Sequence, residues 1–248
     1  RITAEQYREL LVAARDANMN ILRLWGGSGF KKKEFYEICD ELGIMLWQEF
    51  VLACNNYVGT PAYLQILEQE ATAVIRELRC HPSIVLWCGG NELFNDWSGM
   101  DDQSHALRLL NKLCYENDFD RPFLMTSPLF GMKHGCYVFD DGEQQVYAMF
   151  QNAHGTAYSE FGVPSAASVE NLKKIIPEDE LFPIERTESW VYHHALGAWG
   201  TARWLCLDVV RKYFGKPMCL EDVVTETQWM QCEGYKAIFE EARRQWPY

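Results

Sequence analysis

Two glutamates in this chain stand where a carboxyl group could do chemistry. Glu92 follows the apolar run 84–88 and the pair Gly89-Gly90, with Asn91 beside it, and Glu160 follows a second apolar run, with Ser159 beside it. Cleaving a glycosidic bond typically takes two carboxyl groups flanking the anomeric carbon, about 5 to 5.5 Å apart when configuration is retained. The competing reading of each is a solvated loop residue or a helix cap, because charge normally collects on loops. Arg23 is embedded in the apolar run 21–25, where a guanidinium is hard to leave without a partner. No His-x-x-x-His or Cys/His cluster supports a metal, so neither metal nor cofactor is expected. His193 and His194, near Trp190, read as satisfied surface or core histidines.

The elements that must hold these residues follow from punctuation and periodicity. Thr3 with Gln6 forms a capping-box signature, and Tyr7, Leu10, Leu11 and Ala14 recur at helical spacing. Run 21–25, ended by Gly26, Gly27 and Gly29, predicts a strand and a tight loop. A helix over 35–42, with Gly43 as its C-cap, leads into a strand over 44–50. Thr60-Pro61 starts a helix carrying Leu64, Leu67, Ala71, Val74 and Leu78, and His81-Pro82 stops it before a strand over 84–88. A helix near 102–117 and a strand near 123–126 repeat the cycle, strands are expected at 137–139 and 157–161, and helices at 201–214 and 220–244.

Six apolar strands alternating with helices predict an α/β fold with a parallel sheet buried on both faces. A dinucleotide-binding sheet is disfavoured because no strand runs into G-x-G-x-x-G, and no Walker A loop is present. In a TIM barrel the working residues lie at the C-terminal strand ends. There this chain carries Arg23 and Trp25, Gln48 and Glu49, Asn91 and Glu92, Tyr137, and Ser159 and Glu160.

The 248 residues suit one domain, and 48% hydrophobic content is ample for a core. A net charge of −12 is the wrong sign for nucleic acid, and no run is apolar enough for a membrane span. Nine cysteines without a C-x-x-C pair argue against a disulfide framework and favour a reducing, cytoplasmic compartment, most of them as small buried hydrophobes. A periplasmic or secreted location stays open, because residue 1 is arginine and the natural start is expected upstream. Aromatic residues at 14% exceed the needs of the core and imply an aromatic-lined pocket or a covered surface.

Five ordered blocks extend this reading: Arg23-Leu24-Trp25-Gly26-Gly27; Phe35-Tyr36 through Cys39-Asp40-Glu41-Leu42-Gly43-Ile44; Leu46-Trp47-Gln48-Glu49-Phe50; His81-Pro82-Ser83-Ile84 through Asn91-Glu92; and Ser159-Glu160-Phe161-Gly162. Together they resemble the catalytic barrel of glycoside hydrolase family 2, above all its β-mannosidase-like branch. The resemblance implies a retaining β-glycosidase with Glu92 as acid/base and Glu160 as nucleophile. It also implies that Asn91 binds the sugar 2-hydroxyl, Arg23 holds the nucleophile, and Trp25 lines the sugar pocket. Tyr137 matches a tyrosine on a late barrel strand, and Trp97, five residues past Glu92, is a candidate for stacking on a sugar ring. Trp47 and Trp87, in mid-run, read as core. Two departures stand out: Cys136 where the branch usually has histidine, and Glu49 where it usually has aspartate.

Such a pair works by difference. An ionised Glu160 against a guanidinium would keep a nearby Glu92, in an aromatic pocket, in its protonated form for the first step. Esterification of Glu160 then removes its charge and frees Glu92 to act as base. Counting strands against the family barrel predicts strands two to seven of eight, with the remaining strands and the accessory β-sandwich domains outside this chain. A fragment of that kind, with open sheet edges, is expected to be poorly soluble or inactive alone. The alternatives are a β-galactosidase or other β-hexosidase of the same family, a non-catalytic carbohydrate-binding barrel, and, third, a metal-dependent barrel hydrolase. The expected partner is a β-linked oligosaccharide or glycoside.

Overall fold

The structure is a computed structural model, and it describes residues 2–129, 131–193 and 205–245. These fall into two compact units, residues 1–132 and 133–248, and each is described by itself.

The first unit alternates helix and strand: α1 (Ala4–Asp16), β1 (Ile21–Leu24), α2 (Lys33–Leu42), β2 (Met45–Glu49), α3 (Pro61–Leu78), β3 (Ile84–Cys88), α4 (His105–Asn117) and β4 (Phe123–Leu124). Local chemistry sets the helix ends. The Thr3 hydroxyl accepts from the Gln6 amide at 3.2 Å while the Gln6 side chain accepts from the Thr3 amide at 2.8 Å. Thr60 caps α3 ahead of Pro61, and Gly43 closes α2 in the left-handed region at φ 70°.

All neighbouring strand pairs are parallel, and the order is β1-β2-β3-β4. This order follows the chain with no reversal, unlike doubly wound sheets, whose order reverses at a switch point. The register pairs Leu24 with Gln48, Glu49 with Cys88, and Cys88 with Leu124, so the C-terminal ends lie side by side. Leu46, Ile84 and Trp87 are buried with Leu67, Ile75, Leu107 and Leu110 from α3 and α4. Each such side chain contributes about 1.5 to 3 kcal/mol of burial.

Polar contacts tie the layers together. The buried Tyr36 hydroxyl donates to Gln48 Oε1 at 2.8 Å, and Gln48 Nε2 donates to the Glu49 carbonyl at 2.7 Å. Burial pushes the Tyr36 phenol up to about 12. Asp40 on α2 meets His81 Nδ1 at 2.6 Å and accepts from the Ser83 amide at 2.9 Å, fixing the turn into β3. Trp87, buried as expected, donates its indole N–H to Asp118 at 2.8 Å.

The second unit holds β5 (Met132–His134) and β6 (Ala157–Glu160), which pair as a two-stranded sheet, with α5 (Val146–Asn152), α6 (Val169–Ile175), α7 (Glu188–Tyr192), α8 (Leu207–Phe214) and α9 (Leu220–Arg244). Met230, Ala237 and Ile238 of α9 pack with Val146, Phe150 and Val210, and Leu220 and Val224 pack with Leu172 and Trp190.

The expected strand at 137–139 is corrected: the strand runs over Met132–His134. Gly135, at φ 83°, leaves the extended region and ends it, so the apolar Tyr-Val-Phe run continues as irregular chain. Helix α8 begins at Leu207, and the expected helical residues 201–204, like His194, lie outside the described residues. Among the described residues no helix is long and apolar enough to cross a membrane.

Candidate active site

Both candidate carboxylates lie at the C-terminal end of a strand, one in each unit. Glu92 stands just past β3, where hydrogen bonding continues beyond the strands. Asn91 bridges to Ala53 on one side and Ser127 on the other. The Asn91 amide donates to the Leu52 carbonyl at 2.9 Å, and the Glu92 amide donates to the Ser127 carbonyl at 2.7 Å. The buried Thr126 hydroxyl accepts from the Leu93 amide at 3.0 Å and donates to the Gly90 carbonyl at 3.1 Å. The Ser98 hydroxyl donates to the Glu92 carbonyl at 2.6 Å. Glu92 thus directly follows a residue, Asn91, that is bridged on both sides as in a sheet.

Two glycines make the close approach possible. A Cβ at Gly26 would lie 2.7 Å from the Leu52 carbonyl oxygen, and one at Gly90, where φ is 154°, would lie 2.2 Å from the same atom. No side chain fits either position without moving backbone.

Arg23 reaches the ends of two neighbouring strands. Its Nε donates to Glu49 Oε1 at 2.7 Å and its Nη2 donates to Asn91 Oδ1 at 2.5 Å. The guanidinium stands over the ring of the half-buried Trp47, 6.0 Å from the centroid. Glu49 is 1% exposed, and its Oε2 accepts from the Gly26 amide at 2.8 Å. The residue at the usual aspartate position therefore anchors both Arg23 and the loop that carries Trp25.

Trp25 is partly exposed, its ring lying against Gly27, where an added Cβ would come within 2.3 Å of it. Trp97 is 67% exposed on the loop after Glu92. Both offer apolar faces to solvent, as a surface for stacking requires.

In the second unit Glu160 is the last residue of β6. The Tyr137 hydroxyl donates to Glu160 Oε1 at 2.7 Å, and His134 Nδ1 lies 3.8 Å from Glu160 Oε2. The structure therefore brings Arg23, Asn91 and Glu92 together in the first unit, and Tyr137 with Glu160 in the second. A strand expected at the β-prone residues 137–139 leaves His134 off the strand end. The strand at Met132–His134 instead ends on His134. Cys54, grouped above with cysteines of mostly buried type, is exposed, as are Cys80 and Cys232, while Cys39, Cys88, Cys114 and Cys206 are buried.

Known proteins resemble this chain in sequence and in fold. The family model "Glycosyl hydrolases family 2, TIM barrel domain" matches residues 26–176, more than half of the chain. A β-mannosidase of Rattus norvegicus is 29% identical over 95% of this chain and 30% of its own length. The crystal structure of a β-D-mannosidase from Dictyoglomus thermophilum superposes with a TM-score of 0.83 at 31% identity, over 98% of this chain and 31% of that one. An exo-chitosanase of Amycolatopsis orientalis, at 19% identity and a TM-score of 0.74, covers all of this chain and 31% of its own and shares the fold. The chain thus spans about 30% of the length of the curated relative it matches over 95% of its residues. By the family match and the whole-chain superposition, it belongs to the TIM-barrel domain of the glycosyl hydrolases of family 2.

Proposed function

We propose that this chain supplies the two working carboxylates of a retaining β-glycosidase acting on terminal β-mannosides, with Glu92 as acid/base and Glu160 as nucleophile. The observation that carries the reading is the way each carboxylate is held at a strand end. Glu92 rests on backbone pinned to Leu52 and Ser127 through itself and Asn91, and Glu160 accepts the Tyr137 hydroxyl. The names of the relatives, β-mannosidases of Rattus norvegicus and Dictyoglomus thermophilum, support the choice of sugar.

In the first step a Glu160 oxygen attacks the anomeric carbon while the bond to the leaving oxygen breaks, and that oxygen takes the proton of Glu92. The Tyr137 bond to Oε1 fixes the carboxylate plane. In the second step water attacks the anomeric carbon, its proton passes to Glu92, and Glu160 departs as carboxylate. Arg23 orients Asn91 for the sugar 2-hydroxyl, and Trp25 and Trp97 supply apolar faces to the ring. The remaining barrel strands and β-sandwich domains of the complete protein complete the pocket.

The test is a panel of aryl β-glycosides on the complete gene product, with trapping by a 2-deoxy-2-fluoro mannoside. Mannosides turned over fastest and a covalent adduct on Glu160, absent in Glu160→Ala, are the expected results. Preference for a galactoside would replace the sugar assignment, and no turnover of any glycoside would leave a carbohydrate-binding barrel.

A further inference from the structure

Among the described residues, four that are not glycine have left-handed backbone: Asn18, Cys54, Glu92 and Cys206. This conformation is costly for side chains other than glycine and clusters where the surroundings impose it. Two of the four, Cys54 at φ 48° and Glu92 at φ 51°, are in contact with each other.

The contact ends a chain of hydrogen bonds that all point one way. Arg23 Nη2 donates to Asn91 Oδ1, Asn91 Nδ2 donates to Cys54 Sγ at 3.2 Å, and the Cys54 thiol donates to Glu92 Oε2 at 3.5 Å. The backbone locks the same pair, since the Cys54 amide donates to the Asn91 carbonyl at 2.9 Å. Each donor in such a series is polarised by the one before it. Within this series of hydrogen bonds the thiol is the link that touches the Glu92 carboxylate.

We propose that Cys54 is a positioning residue for Glu92: its thiol joins Asn91 to the carboxyl group and sets the rotamer from which the proton is delivered. The proposal rests on the reading of Glu92 as acid/base. A thiol suits the place because sulfur bonds are long. A serine hydroxyl on the same backbone reaches less far and needs about 2.7 Å to its acceptor, so it restores the link in part.

The experiment compares Cys54→Ala, Cys54→Ser and Glu92→Ala in the complete gene product, on phenyl and 2,4-dinitrophenyl β-mannosides. Proton delivery matters for the poor phenolate leaving group and little for dinitrophenolate. Cys54→Ala is expected to lower kcat/KM, which reads the first step alone, about tenfold on the phenyl glycoside and less than about threefold on the dinitrophenyl one. Cys54→Ser should recover at least half of that loss on a logarithmic scale. A merely structural thiol would slow both substrates alike, and that result, or wild-type rates in Cys54→Ala, overturns the proposal while Glu92→Ala still discriminates between leaving groups. If Glu92→Ala itself slows both equally, the reading of Glu92 fails first. Should Cys54→Ala not fold, the leaving-group dependence of Cys54→Ser decides, wild-type behaviour counting against the proposal and a selective partial loss for it.

Discussion

Replacing Glu49 with alanine is expected to loosen the Trp25 loop by about 4 kcal/mol. The figure comes from the contacts Glu49 makes. Its side chain is wholly buried, its Oε1 holds Arg23 Nε at 2.7 Å, and its Oε2 holds the Gly26 amide at 2.8 Å. Removing one member of a buried ion pair costs about 3 to 5 kcal/mol, because the remaining charge keeps its desolvation penalty. Losing the acceptor of a buried amide costs about 1 to 3 kcal/mol, partly the same energy. At 1.4 kcal/mol per factor of ten, 4 kcal/mol is roughly a thousandfold in the local opening constant. Native-state hydrogen exchange of the peptide spanning residues 21–30 reads this directly, with the Gly26 amide as reporter. Glu49→Gln keeps one acceptor but turns an N–H toward the other donor, and should lose about 2 kcal/mol. A double change to methionine at 23 and 49 should be milder than Glu49→Ala, as apolar replacements of buried pairs usually are. Protection at Gly26 altered less than tenfold in Glu49→Ala would refute the anchoring argument.

Tyr137→Phe removes the hydrogen bond to Glu160 and is expected to lower kcat/KM on aryl mannosides by about 10- to 100-fold with the melting temperature unchanged, the range for a bond to a charged group; a change below threefold would count against it. Gly90→Ala brings a Cβ to 2.2 Å from the Leu52 carbonyl and should lower the melting temperature by more than about 5 °C, whereas an unchanged melting curve would mean the loops are looser than described. Asp40 is held below its usual 3.8, since burial alone would raise it but hydrogen bonds from Ser83 and His81 outweigh that. A carboxylate with a depressed folded-state value stabilises fully above its unfolded value and loses that contribution as pH falls through the folded one. The wild type should therefore lose stability below about pH 4, and Asp40→Asn should show a flatter dependence there in thermal melts.

The first unit was readable because its signals are local and mutually consistent. Thr3 with Gln6, Gly43, and Thr60 with Pro61 each mark a boundary by chemistry that acts within one turn. The strands of the parallel sheet are apolar on both faces, so they stand out from the amphipathic helices. The role of Glu49 was not readable, because its partners Arg23 and Gly26 are more than twenty residues away. Cys54 was hidden for a similar reason: its contact to Glu92 spans 38 positions and depends on two left-handed residues that composition does not reveal. In the second unit the β-prone residues 137–139 outweighed the short strand Met132–His134, where Gly135 sets the end. The short helices α5, α6 and α7, of five to seven residues, are below the length at which periodicity speaks.

The bridges from Ala53 to Asn91 and from Asn91 to Ser127 divide the first unit's loops into two kinds of chain. Up to residues 54 and 92 the backbone belongs mechanically to the sheet, and the groups it bears move only as the sheet moves. Beyond them, residues 55–60 and 95–104 carry exposed residues such as Asn55, Asn56, Asp96 and Trp97, while Tyr57 ties back to Ala53 and Ser98 to the Glu92 carbonyl. On the proposed function, a change of sugar or linkage is therefore to be sought by substituting those exposed side chains while the backbone contacts of Tyr57 and Ser98 are kept. The first unit in this sense joins a fixed sheet end to a variable surface, and engineering belongs at those exposed side chains rather than at Tyr57, Ser98 or Met100, which tie the loops to the strand ends and the core.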